Sequence, residues 1–134
     1  LPYPPTGNNY KRMRVTRRRP VFYLTARAGR YITDATLLIR SAMNKARLRT
    51  PTGQMQITVV LYAPDRRHRD NDNAIKVLQD CTAKGGAVEN DRQYARTLIL
   101  RGPIRKGGAV LVVIEPLSDV DLAAEIEAVE TEAT

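Results

Sequence analysis

Residues 54–63 read QMQITVVLYA, polar and apolar positions alternating before an apolar run, which predicts a sheet strand covered on at least one face. Pro64 ends it. Upstream, residues 21–24 (VFYL) form a short β-branched and aromatic strand, and Thr25 offers a helix N-cap. Apolar residues then recur at Ile32, Ala35, Leu38, Ile39, Ala42, Met43 and Ala46, close to the helical period. A helix is expected over 26–48, broken by PTG at 51–53. Residues 65–71 are an unbroken polar loop. A second helix is expected from 72 to 84, with Ile75, Leu78 and Cys81 or Thr82 facing inward and Gly85-Gly86 stopping it. Residues 95–101 and 109–115 (AVLVVIE) read as strands joined into a hairpin by GPIRKGG, and Pro116 closes the sheet. The order β-α-β-α-β-β describes a small single α/β domain with a mixed β-sheet and two main helices on one face.

Composition narrows the class. The 134 residues suit one domain, and 43% hydrophobic with 27% charged residues is ordinary for a soluble globular chain. No apolar run approaches roughly 18 residues, so no membrane span is expected. The opening LPYPPTGNN has the pattern of neither a signal nor a transit peptide. The single Cys81 excludes an internal disulfide and suits a reducing compartment, so a cytoplasmic protein is expected. The net charge of +8 is unevenly spread. Asp119, Asp121, Glu125, Glu127, Glu130 and Glu132 follow one another with no Lys or Arg, which leaves 22 basic residues against eight acids in the body, a net +14. The chain therefore divides into a basic domain over 1–118 and an acidic amphipathic tail over 119–134, helical or frayed. A surface so basic attracts a polyanion, and nucleic acid is the usual one.

Within the basic body, RHRDNDNAIK at 67–76 places two aspartates two residues apart beside Arg66, Arg67 and Arg69. On a helix that spacing diverges; in an extended segment Asp70 and Asp72 project the same way. Asp72 then falls at or near a helix N-cap, and Lys76 lies one turn along on the same face. Asp91 follows the Gly-Gly break, where the chain returns from helix to sheet and can approach the start of the same helix. Three carboxylates and a lysine at one spot resemble a magnesium-dependent phosphodiesterase site, because Mg²⁺ takes oxygen ligands and lowers the pKa of a water while neutralising phosphate charge. The plainer reading makes Asp72 a helix cap paired with Lys76, and leaves Asp70 and Asp91 in solvent beside arginines.

The run PDRRHRDNDNAIKVLQDCTAKGGAVENDRQ resembles the signature of the RusA family of Holliday junction resolvases, in which P-D-R-R-x-R-D-x-D-N-x-x-K leads a helix and a D-x-Q segment follows. The opening PPTGNNY is similar to the family's PP-S-x-N-x-Y element, and KGG before the last strand also matches. The likeness spans about residues 1–116 in the same order. It implies an endodeoxyribonuclease that needs Mg²⁺ (or Mn²⁺ in its place), acts as an intertwined homodimer and nicks branched DNA, the Holliday junction, symmetrically on two opposed strands. Neither a small-molecule cofactor nor a membrane is implied. The family's catalytic and metal-holding aspartates fall on Asp70, Asp72 and Asp91, its lysine on Lys76, and its DNA-facing residues on Arg66, Arg67 and Arg69. His68 stands where the family usually carries Arg, and Asn90 where a second acid is common.

Other residues keep two readings each. His68, among arginines that lower its pKa, suits a phosphate or base contact better than proton abstraction. Asn73 suits either the helix start or a water on the metal. Asn8, Asn9 and Tyr10 suit DNA sugar-phosphate contacts or Asx-turns. Lys11, Arg12 and Arg14 open a basic run that is a solvated arm or a DNA-tracking edge. With no Trp and 5% aromatic residues, phosphate tracking outweighs base stacking. A non-catalytic basic nucleic-acid binder and an Mg²⁺ nuclease for another branched DNA or RNA remain the alternatives.

Overall fold

The computed structural model describes residues 1–5, 11–15, 20–24, 26–67 and 71–134, and between 11 and 28 it describes backbone alone. The elements are β1 (Lys11–Val15), β2 (Pro20–Leu24), α1 (Ala26–Lys45), β3 (Met55–Tyr62), α2 (Asn71–Lys84), a 3₁₀ turn (Asp91–Gln93), β4 (Tyr94–Arg101), β5 (Ala109–Pro116) and α3 (Asp119–Ala133). The small α/β domain, the mixed sheet and the central elements agree with the expected pattern.

Strand β3 is the centre of a three-stranded sheet ordered β4-β3-β5. Its burial alternates strictly: Met55, Ile57, Val59 and Leu61 point inward, while Gln56, Thr58, Val60 and Tyr62 lie half-buried on the other face. The inward face packs against Tyr31, Ile32 and Ala35 of α1 and against Ala74, Val77, Leu78 and Cys81 of α2. Leu78 and Cys81 are fully buried. Truncating a leucine so enclosed typically costs about 2–5 kcal/mol. Burial also pushes the Cys81 thiol above its ordinary pKa. No helix of the described residues is long and apolar enough to cross a membrane.

Two expectations are corrected. The strands over 95–101 and 109–115 are not a hairpin: β4 runs parallel to β3 on one side, and β5 antiparallel on the other. A parallel β3–β4 pair needs a crossover, which α2 supplies, and GPIRKGG then bridges the end of β3 to reach its far edge. Next, 21–24 is not a lone strand. It belongs to β2, which pairs with β1 in a separate antiparallel sheet, Met13 opposite Phe22, Arg12 opposite Tyr23 and Arg14 opposite Val21. The period-two pattern of KRMRV was hidden by its charge. The acidic tail takes the helical of its two expected forms: it folds as α3, capped by the Ser118 hydroxyl accepting from the Asp121 amide at 3.1 Å.

Helix ends follow backbone capping. After α2, the Ala87 amide donates to the Thr82 carbonyl (3.0 Å) and Gly86, at φ 85°, donates to Ala83 (3.2 Å), a Schellman closure that uses the glycine as expected. The first helix closes in the same way earlier than 48. Leu48 donates to Met43 and Arg47 to Asn44, which puts Arg47 at φ 54°, a left-handed conformation that a side chain resists. Arg47→Gly should therefore raise stability by about 0.5–1 kcal/mol, seen as a higher urea midpoint at unchanged slope. A midpoint that stays put or falls would mean that this turn stores no strain.

Candidate nucleic-acid site

Each end of β3 carries a group of the residues singled out by the sequence. At its C-terminal end, the Arg67 amide donates to Asp65 Oδ1 at 3.0 Å, and the Arg67 guanidinium lies 3.7 Å from the same carboxylate. This turn leaves Arg66 and Arg67 exposed. His68, Arg69 and Asp70 lie outside the described residues, as do Asn9 and Tyr10. Helix α2 begins at Asn71, which places Asp72 in its first turn, near the cap as expected. Amide groups at a helix start favour a carboxylate there. Because α2 buries Ala74, Val77, Leu78, Cys81 and Thr82, its opposite face leaves Asp72 and Lys76 in solvent, one turn apart. A concavity of about 230 Å³ opens at the start of α2, lined by Tyr3, Arg66, Arg67, Asn71, Arg101 and Gly102 among others. Lys11, Arg12 and Arg14 belong to β1.

Asp91 is built at the other end. Asn90 caps the 3₁₀ turn by accepting from the Arg92 amide at 2.9 Å, and Gln93 completes a capping box. Gln93 Oε1 accepts from the amides of Glu89 (2.7 Å) and Asn90 (3.0 Å), while its Nε2 donates to the carbonyls of Pro51 (3.0 Å) and Gly53 (2.8 Å). The glutamine of the D-x-Q segment is thus a clamp that fixes the aspartate's turn to the chain entering β3. Asp91 itself is exposed, and its side chain has no hydrogen bond or ion pair among the described residues.

The two ends do not meet within one chain. Helix α2 runs back along the sheet: Gln79 Nε2 donates to Thr97 Oγ1 at 3.4 Å, and the Thr82 and Tyr94 hydroxyls share a 2.7 Å hydrogen bond. Tyr94 pairs with Met55 at the start of β3. The stretch of α2 from Asp72 to Thr82 alone spans roughly 15 Å at 1.5 Å per residue. Asp91 therefore sits beside the last turns of α2, and Asp72 beside the first. The expectation that the reversal after Gly85-Gly86 would return Asp91 to the helix start is not met within the chain, because the reversal comes at the far end of the 14-residue α2. Among the described residues, which exclude Asp70, no group of three or more potential metal ligands is found. In kind, exposed carboxylates fit a hard divalent cation.

An α/β domain that gathers Arg66, Arg67 and Arg101 near the exposed Asp72 and Lys76 at one sheet end offers a polyanion a basic surface. Residues 2–115 match the family model described as endodeoxyribonuclease RusA. The crossover junction endodeoxyribonuclease of Enterobacteria phage HK97 is 34% identical over 124 residues, covering 90% of this chain and 94% of that protein. Its counterpart from Shigella sonnei (strain Ss046) is 30% identical over 119 residues, covering 89% and 93%. That from Escherichia coli (strain K12) is 29% identical over the same length. The chain belongs to the RusA family.

The clamp role of Gln93 is testable. Gln93→Leu removes four hydrogen bonds and should cost about 1–3 kcal/mol, with loss of hydrogen-exchange protection at the Glu89 and Asn90 amides. Retained protection at both would show that another group holds the turn.

Proposed function

We propose that this chain is a Holliday junction resolvase, an endodeoxyribonuclease that nicks two opposed strands of a four-way junction with Mg²⁺, or Mn²⁺ in its place. The family match over 2–115 is the observation that carries this reading. Exposed Asp72 and Lys76 beside the arginine loop support it.

Asp70 and Asp72 would hold the metal together with Asp91, and the separation of Asp72 from Asp91 within one chain argues that Asp91 comes from a second copy. A homodimer with two-fold symmetry then carries two such sites, one for each exchanging strand. Exposed Leu100 and Leu111, on the sheet face opposite α1 and α2, give a second copy apolar surface to cover. When bound, the metal supplies charge neutralisation at the scissile phosphate and a more acidic water. Lys76 offers its ammonium protons to phosphate oxygens as negative charge builds there. Arg66, Arg67, His68 and Arg69 hold the backbone on the approach, with Asn9, Tyr10, Lys11, Arg12 and Arg14 as further contacts. The setting is the cytoplasm, and the phage HK97 relative fits a phage or prophage source.

Mixing two inactive variants tests the composite site. Asp72→Asn and Asp91→Asn should each abolish cleavage of a labelled junction in Mg²⁺. Co-refolded together, they should recover single nicks, because one site of the heterodimer regains every carboxylate. A mixture that stays dead while both variants dimerise would put all three aspartates in one chain. Wild-type protein that binds junctions without cutting them would make it a non-catalytic binder.

A further inference from the structure

The segment RGPIRKGG, residues 101–108, holds three cations and no acid. Its shape is imposed by the sheet: β4 and β5 flank β3, so the chain must pass over the C-terminal end of β3 to go from one to the other. Three backbone bonds fasten that passage. The Gly102 amide donates to Leu61 (2.9 Å), the Arg105 amide to Ala63 (3.0 Å) and the Gly108 amide to Arg105 (2.8 Å). Gly102 lies so close to the Tyr62 ring that a Cβ there would stand 2.6 Å from Cε1. Gly107 and Gly108, at φ 82° and 70°, complete the turn in a conformation only glycine adopts readily.

The outcome is an arginine held in place. The Arg105 guanidinium stacks 4.1 Å from the centre of the Tyr62 ring. Stacking uses the flat face of the group and leaves its in-plane N–H donors pointing outward, the geometry that suits a phosphate. Among the described residues the ion pairs are Arg67–Asp65 and Arg96–Glu125, and no carboxylate pairs with Arg101, Arg105 or Lys106. Three like charges in one tight loop repel each other, and an anionic ligand would relieve that repulsion. Placement extends the point. Arg66, Arg67 and Arg101 line the concavity beside the start of α2, whereas Tyr62 belongs to the opposite face of β3. Positive charge thus runs over the rim of the sheet from Arg66 and Arg67 through Arg101 to Arg105.

We propose that the 102–108 crossover is a preformed subsite for the DNA sugar-phosphate backbone, in which Arg105, stacked on Tyr62, and Arg101 bind phosphates of the strand leaving the cleavage site. This rests on the reading of the chain as a DNA enzyme, and the test keeps the two apart. Binding of fluorescent four-way junction and linear duplex is measured by anisotropy in EDTA across a salt series. Arg105→Met keeps a long side chain over Tyr62 but no charge. It should weaken binding to both DNAs about threefold to tenfold, and the slope of log affinity against log salt should fall by about 1. Arg105→Lys should recover the slope but only part of the affinity, since an ammonium lacks the planar fork. Arg101→Gln combined with Arg105→Met should lower the slope by about 2. Wild-type affinity and slope in Arg105→Met would overturn the proposal and make the stack a mere cover for Tyr62. If the slope falls in a protein that proves not to cut junctions, the subsite stands and the resolvase reading falls.

Discussion

Strand β3 is hydrogen-bonded along both edges and packs one face against two helices, and the segments bearing Asp72, Asp91 and Arg105 hang from its ends. Its C-terminal end gathers Tyr3, the arginine turn, the first turn of α2 and the crossover. Its N-terminal end receives the turn bearing Asp91, fastened through Gln93 to Pro51 and Gly53. Because a parallel neighbour needs a crossover helix of about the same length as the strand, the two groups are held a helix-length apart. The rigidity that positions each group also forbids their meeting inside one chain.

Charge is sorted along the same axis. The acidic tail does not lie loose. As α3 it packs along the first half of β4, where Glu125 pairs with Arg96 at 3.4 Å and Leu122, Ile126 and Val129 line a groove with Leu98. A partly exposed pair of this kind contributes little by itself, and α3 buries none of its residues. Its place matters more than its energy. The Arg96–Glu125 contact falls near the start of β4, away from Arg66, Arg67, Arg101 and Arg105 at the other end of the sheet.

Two short sequence features turn out to be mechanical. The glutamine of D-x-Q is a four-bond clamp, and the glycines of GPIRKGG are there because Tyr62 and Tyr3 leave no room for a Cβ and because the turn after Arg105 is left-handed. In both cases the residue beside the clamp, Asp91 or Arg105, is the one offered to solvent. Structural residues and chemical residues alternate over a few positions, which is why a motif in this chain reads as one unit.

What the sequence determined alone was local. The alternation in QMQITVVLYA marked β3 as a strand covered on one face, the helical spacing placed Leu78, Cys81 and Thr82 on the core side with Ile75 half-buried beside them, and Gly85-Gly86 marked the close of α2. These depend on side-chain period and backbone caps within a few residues. Strand order, the pairing of β1 with β2, the left-handed Arg47, the stacking of Arg105 and the end of the sheet at which Asp91 stands were decided only by the tertiary structure. Each of them joins residues distant along the chain, and a spacing rule carries no information about which hydrogen-bonding edge a strand will find or how far a helix will carry the next carboxylate.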